Sequence, residues 1–164
     1  LTSGYIPMGG LIVSDKVFDV IKTAGDFNHG FTYSGHPVAA AVALENIRIL
    51  REEKILEQVR EQTAPYLQKR LRELNDHPLV GEVRGVGMLG AIELVKDKAT
   101  RARYEGKAVG MICRAHCFNN GLIMRAVGDT MIIAPPLVIS KAEIDELVTK
   151  ARLCLDLTLK DLQG

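Results

Sequence analysis

The sequence predicts a mixed fold of helices and strands, in which a long helix precedes an α+β unit with one sheet and helices on one of its faces. Three observations support this fold class. The stretch from residue 79 onward follows the order β-β-α-β-β-α. Apolar residues after Pro37 recur at helical spacing. Ser140 and Glu143 form the S-x-x-E capping box that begins a helix.

The chain opens LTSGYIPMGGLIV, with no initiator Met, and we expect it to be the C-terminal part of a larger protein. This apolar, glycine-containing start predicts a tight loop that leads into a buried strand over residues 11–13. Ser14 can cap a short helix that ends near Gly25. Residues 26–37 (DFNHGFTYSGHP) break all periodicity, so we predict a functional loop there.

A long helix is predicted from Pro37, because the N–H that proline lacks would have no partner in the first turn. Alanines give this helix a small-residue face, and the apolar pattern continues to residues 75–78. Pro65 should kink or restart the helix, since an interior proline costs roughly 3 kcal/mol.

Two strands around a glycine-rich bend begin the α+β unit, and a charged loop over residues 96–107 follows them. The next helix should end at Gly121, a residue type that tolerates the conformation of a helix C-terminus. A turn at Gly128 and Asp129 then joins the last two strands. The capped helix after Ser140 completes the unit.

Composition excludes several classes of protein. The chain has 164 residues, of which 47% are hydrophobic and 25% charged, so we exclude a disordered, collagen-like or coiled-coil chain. No apolar run approaches the roughly 18 residues of a membrane span. The net charge of +1 gives no bulk attraction to nucleic acid or an anionic membrane. Three cysteines, an odd count, favour a reducing, cytoplasmic compartment.

Two motifs resemble ligand sites and are better explained by structure. Residues 85–90 (GVGMLG) match G-x-G-x-x-G, but a strand-like run follows where a dinucleotide site needs a helix. We therefore assign these glycines to a bend and to close strand packing. Cys113, His116 and Cys117 share one helix face, yet no second cluster supplies the remaining ligands of a zinc site. We predict buried cysteines and no metal.

Polar residues of the loop before Pro37 are candidates for binding. Thr32, Ser34 and Gly35 could form an anion site where the helix begins, or they could only cap the helix. His29 and His36 bracket the loop, but no Ser, Cys or carboxylate is placed to complete a catalytic triad.

Arg125 lies among apolar residues on a predicted strand, so its charge needs a partner. A guanidinium can bind a carboxylate through two parallel hydrogen bonds. The alternative is a structural ion pair within the protein.

Four segments carry a resemblance to a known family: LTSGYIPMGG, HGFTYSGHPVAAAVALENI, VRGVGMLGAIEL and GLIMRAVGDTMIIAPPL. In order and spacing they resemble the C-terminal portion of class III aminotransferases, which are pyridoxal 5'-phosphate (PLP) enzymes of fold type I. The resemblance is strongest to the ω-amino acid:pyruvate transaminases. It implies an α/β fold in which residues 1–36 end the large domain, 37–78 form a connecting helix region and 79–164 form the C-terminal small α+β domain.

The resemblance also implies roles for two residues. Thr32 matches the threonine that contacts the cofactor phosphate of the neighbouring subunit, and Arg125 matches the arginine that binds the substrate carboxylate. Phe31 and Tyr33 are then expected near the subunit interface. The Schiff-base lysine is expected just upstream of Leu1, so this chain would contain no catalytic residue and be inactive alone.

The activity implied is transfer of an amino group from an ω-amino acid, diamine or other amine to pyruvate, which gives alanine. A homodimer or a dimer of dimers with shared active sites is expected, in the cytoplasm. Two alternatives stay open: another class III aminotransferase, of the ornithine or aminobutyrate type, or a non-catalytic α+β dimerisation module.

Overall fold

Six α-helices and four strands form the fold in residues 1–163, the part of the chain that the computed structural model describes. The helices are α1 (Asp15–Thr23), α2 (Pro37–Glu52), α3 (Ile55–Gln58), α4 (Ala64–Arg72), α5 (Val109–Asn119) and α6 (Lys141–Gln163). The strands are β1 (Val80–Val86), β2 (Leu89–Leu94), β3 (Arg125–Val127) and β4 (Thr130–Ile133). The chain divides into two units, Leu1–Lys54 and the segment from Ile55 onward.

The first unit contains α1, α2 and the loops before them. Helix α2 begins at Pro37 as predicted, and α1 follows Ser14, although the Ser14 side chain makes no capping hydrogen bond. Asn46, on α2, connects the helix to the start of the chain. Its Nδ2 donates to the Leu1 carbonyl at 2.9 Å, and its Oδ1 accepts from the Ser3 hydroxyl at 2.7 Å.

The prediction of a buried strand over residues 11–13 is wrong. These residues are exposed and form no strand, and the side chains of Leu11 and Ile12 are 88% and 97% exposed. A strand needs a neighbour that satisfies its N–H and C=O groups. All four strands of the described residues lie between Val80 and Ile133, so the apolar run has no strand in its own unit to pair with.

The helical stretch after Pro37 is interrupted at a position that the sequence did not indicate. Helix α2 ends at Glu52, and Lys54 adopts a left-handed φ of 51°. The predicted restart at Pro65 is confirmed, because a π-helical turn (Val59–Thr63) precedes α4 and Pro65 lies in the first turn of that helix. A short 3₁₀ helix (Glu73–Asp76) ends the stretch close to the predicted position.

An antiparallel sheet in the order β1-β2-β4-β3 is the centre of the second unit, and its elements confirm the predicted β-β-α-β-β-α sequence. Alternate residues of β2 and β4 are buried in the core, with α4, α5 and α6. These inward residues are Ile92, Leu94, Met131 and Ile133. The opposite face, which we call the outer face of the sheet, carries the remaining residues of each strand.

The glycines of residues 85–90 have the structural role predicted for them. Gly87 has a left-handed φ of 58° in the turn between β1 and β2. Gly90 lies so close to α4 that an added Cβ would come within 2.5 Å of the Leu71 Cδ1 atom. No helix follows the motif, because Leu89–Leu94 is a strand. The segment therefore lacks the helix N-terminus that binds a pyrophosphate.

The capping box at the start of α6 forms as predicted. The backbone N–H and hydroxyl of Ser140 both donate to the Glu143 carboxylate at 2.7 Å, and the Glu143 N–H donates to the Ser140 hydroxyl oxygen at 3.2 Å. These bonds from Ser140 lower the pKa of Glu143, with the backbone bond as the larger cause.

Candidate functional site

Arg125 is the first residue of β3 and lies on the outer face of the sheet. The register pairs Arg125 with Ile132, Ile132 with Ala91, and Ala91 with Arg84. These four residues form one row across the four strands. Because side chains of a strand alternate between faces, the buried Met131 and the exposed Arg125 point to opposite sides of the sheet. The Arg125 side chain is therefore directed away from the core.

Every carboxylate on the β1 and β2 part of this face already has an arginine partner. Glu93 binds Arg84 at 2.6 Å and Arg103 at 3.3 Å, and the pKa of Glu93 is lowered, mainly by the hydrogen bond from Arg84. Glu82 binds Arg84 at 3.4 Å and Arg101 at 3.8 Å. The two carboxylates and three arginines thus form a paired network with one positive charge in excess.

Arg125 differs from these three arginines, because it is exposed and makes no ion pair or hydrogen bond through its side chain to any of residues 1–163. The alternative of a structural ion pair is therefore not supported, because no carboxylate in this part of the chain pairs with Arg125. The guanidinium therefore has all of its N–H groups available for an external carboxylate, which it can bind through two parallel hydrogen bonds.

The loop before α2 provides the second candidate residue. The His36 side chain occupies the N-cap, where its Nδ1 accepts from the Val38 N–H at 3.2 Å. The Ser34 hydroxyl accepts from the Phe31 N–H at 3.1 Å, which closes a turn around Thr32. Thr32 itself is exposed, and its hydroxyl has no hydrogen-bond partner among the described residues. Capping is thus performed by His36, and the Thr32 hydroxyl remains free.

Aromatic rings surround this turn. The His29 ring lies 5.8 Å from Phe27 and 6.0 Å from Phe31, between ring centroids, and Tyr33 lies 6.5 Å from His36. These residues and the Gly-rich segment near Gly9 line an open cavity of about 820 Å³ within the first unit. The sequence did not reveal the capping role of His36, although a polar residue directly before a proline at the first helical position is a signal for it.

Cys113, His116 and Cys117 do not converge on one point. The two cysteines are buried, with exposed fractions of 1% and 0%, as predicted. The His116 ring instead contacts the Asp161 carboxylate of α6 at 2.7 Å. Among residues 1–163 no group of three or more His, Cys, Asp or Glu side chains is arranged to bind a metal ion. No helix in that range has both the length and the apolar character needed to cross a membrane.

The chain belongs to the class III aminotransferases. The model of that family, described as "Aminotransferase class-III", matches residues 1–155. A putrescine–pyruvate aminotransferase of Pseudomonas aeruginosa is 72% identical over 158 residues, which cover 96% of this chain and 35% of that protein. A mitochondrial gamma-aminobutyrate transaminase 1 of Solanum lycopersicum is 42% identical over 153 residues, with 90% and 30% covered.

Solved structures agree with this assignment. A transaminase from an ancestral-reconstruction study is 46% identical and superposes with a TM-score of 0.91 over 98% of this chain and 36% of that one. An aminotransferase from Vibrio fluvialis, in a PMP-bound form, is 35% identical with a TM-score of 0.87 over 97% and 36%. The chain thus spans about a third of the length of these relatives. The predicted resemblance and fold class are confirmed.

The family implies PLP as cofactor, and one part of this chain has chemistry that fits it. The free hydroxyl of Thr32 precedes the N-terminus of α2, a helix of 16 residues. The positive pole of a helix and a hydroxyl donor suit the phosphate group of the cofactor.

Proposed function

We propose that this chain is part of a PLP-dependent transaminase that moves an amino group from an ω-amino acid, diamine or other amine to pyruvate, giving alanine. The name of the relative with 72% identity supports both the diamine and the pyruvate. The gamma-aminobutyrate transaminases support the aminobutyrate alternative, but at 42% identity or less. The observation that carries the proposal is the unpaired Arg125 on the outer face of the sheet.

Arg125 is the proposed binding residue for the carboxylate of the keto acid. Pyruvate presents a carboxylate beside its reacting carbonyl, and the planar guanidinium can hold that carboxylate in a single orientation. A simple amine has no carboxylate, so Arg125 contributes no ion pair to its binding. Arg125 therefore binds the substrate in the half-reaction of the keto acid and makes no ion pair in the half-reaction of a simple amine.

Thr32 is the proposed donor to the cofactor phosphate of the neighbouring subunit. When bound, PLP supplies the electron sink for loss of a proton from the carbon that carries nitrogen. Thr32 would anchor the phosphate through its free hydroxyl, with Phe31 and Tyr33 near the interface. This role makes the active protein a homodimer or a dimer of dimers with shared sites.

The proposal places the catalytic lysine upstream of the segment that matches Leu1, so that this chain alone is inactive. In this proposal residues 1–36 end the large domain, residues 37–78 form the connecting helix region and residues 79–164 form the small domain. A cytoplasmic location is supported by the three free thiols, Cys113, Cys117 and Cys154, which suit a reducing compartment.

Substrate and acceptor panels with the full-length enzyme test the proposal. Alanine should form from pyruvate with diamines and ω-amino acids as donors, and the purified protein should show the absorbance of bound PLP. Turnover with a dicarboxylic keto acid but not with pyruvate would instead support the aminobutyrate or ornithine type. A dimer that binds no PLP would support the non-catalytic module.

A further inference from the structure

Strand β3, which carries Arg125, receives little support from the sheet itself. It contains three residues and lies at the edge of the sheet, where β4 is its one neighbouring strand within residues 1–163. A short edge strand forms few backbone hydrogen bonds, so its position depends on the contacts at its two ends. The position of the Arg125 guanidinium therefore depends on what holds the residues before and after β3.

Helix α5 holds the segment before β3. The Leu122 N–H donates to the Cys117 carbonyl at 2.9 Å, beside the end of α5. Met124, which directly precedes Arg125, is buried in the core, and its Sδ accepts a weak hydrogen bond from the Cys117 Sγ at 3.8 Å. The last turn of α5 thus fixes the residue next to Arg125.

The N-terminal end of the same helix holds the turn after β3, through Asp129. The Asp129 Oδ1 accepts from the Gly110 N–H, in the first turn of α5, at 3.0 Å. The N-cap residue of α5 is Ala108, which has no side-chain acceptor for the free N–H groups of that turn. Asp129 supplies this acceptor from a different element. Its backbone carbonyl also accepts from the Leu94 N–H at 2.9 Å, so Asp129 connects the turn to both α5 and β2.

Gly110 allows α5 and this turn to touch through their backbones. A Cβ added at Gly110 would lie 2.1 Å from the Gly128 carbonyl oxygen and 3.1 Å from the Asp129 Cα. No side chain therefore fits between the helix and the turn. Close-packed contacts of this kind transmit displacements, so a movement of the turn relative to α5 would also move the end of β3.

We propose that Asp129 is a positioning residue for Arg125, which holds β3 at the place where the guanidinium meets the carboxylate of the keto acid. The inference rests on the proposed function, in which Arg125 binds that carboxylate. Two parallel hydrogen bonds require the correct direction as well as the correct distance. A simple amine makes no ion pair with Arg125, so its half-reaction does not depend on the exact position of β3.

Variants on both sides of the contact test this role in the full-length holoenzyme, through single-turnover rates of the two half-reactions. A displacement of about 1 Å can cost about 100-fold, and for Asp129→Ala we expect kcat/KM for pyruvate to fall about 10-fold. The amine half-reaction should change far less. Asp129→Asn keeps an oxygen acceptor for the Gly110 N–H and should recover most of the loss. Gly110→Ala disrupts the same contact from the helix side and should reproduce the selective loss.

Ser140→Ala is the matched control for a loss of stability. It removes a helix cap from α6 in the same unit, and the Ser140 side chain bonds to Glu143 and not to β3 or its turn. This variant should leave both half-reactions unchanged. A selective effect of Asp129→Ala on pyruvate could then not be attributed to the loss of a cap alone.

A double-mutant cycle shows whether Asp129 acts through Arg125. In an Arg125→Ala background, Asp129→Ala should cause no further loss in the pyruvate half-reaction. The proposal would be overturned if Asp129→Ala had no effect, slowed both half-reactions equally, or kept its effect in that background. Failure of the proposed function gives a different result, because Arg125→Ala itself would then not discriminate against pyruvate.

Discussion

Replacing Arg125 with alanine in the full-length enzyme should slow the reaction of keto acids much more than the reaction of simple amines. Truncating one partner of a buried, hydrogen-bonded charge pair costs about 2–5 kcal/mol. Arg125 is exposed in this chain, and this magnitude applies if the bound keto acid and the rest of the full-length enzyme cover it. At about 1.4 kcal/mol per factor of ten, kcat/KM for pyruvate should fall at least about 30-fold. A simple amine makes no ion pair with Arg125, so its half-reaction should change far less.

Single-turnover rates of the two half-reactions, measured beside a melting curve, provide the assay. Arg84→Ala is the matched control, because Arg84 lies in the same row of the outer face but is paired with Glu93. Its loss should change stability by no more than about 1 kcal/mol and affect both half-reactions alike. If Arg125→Ala slowed the amine and keto acid steps equally, or lowered the melting temperature as its main effect, the carboxylate role would be refuted.

The remaining predictions concern the cofactor, the fold and the activity of the chain on its own. Thr32→Ala should weaken PLP retention about 10- to 150-fold, from the 1.5–3 kcal/mol of a charged hydrogen bond, and in mixed dimers equilibrium dialysis should find the defect in the partner's site. Ser140→Ala should lower the free energy of urea unfolding by about 1 kcal/mol. Glu143→Gln should also destabilise the protein above pH 4.5, the ordinary glutamate pKa. This destabilisation should vanish as the pH falls through the lowered pKa of Glu143. Gly90→Ala should cost about 1–3 kcal/mol in the same assay, because its Cβ would press on the buried Leu71. The 164-residue chain alone should form no alanine from pyruvate and an amine in a coupled assay, and measurable turnover would contradict the placement of the lysine.

Local signals in the sequence were sufficient for most of the second unit. Gly121 and Gly128 both adopt left-handed φ values where a helix end and a turn were predicted, because glycine has no Cβ to oppose that conformation. Ser140 and Glu143 form the predicted capping box through contacts three residues apart. Each of these features depends only on neighbouring residues, and such features can be predicted without knowledge of the fold.

Features that depend on distant partners could not be predicted in this way. The apolar residues 11–13 have the composition of a strand, but no strand of their unit pairs with them. Lys54 takes a left-handed φ without being a glycine, so the end of α2 has no local signal. The absence of an ion-pair partner for Arg125 could not be predicted either. It depends on the register of the four strands, which places Arg125 on a face whose carboxylates are bound by other arginines.

Unsatisfied polar groups distinguish the two proposed binding residues from similar neighbours. On the outer face Arg84 is paired within the chain, whereas Arg125 is not. In the loop before α2, Ser34 and His36 both accept backbone hydrogen bonds, whereas the Thr32 hydroxyl makes none. Folding uses most polar groups near secondary structure, and those it leaves free are the ones available to a ligand. The two residues that the family resemblance selects both lack an internal partner among the residues that the structure describes, and this agreement supports the proposal that they bind substrate and cofactor.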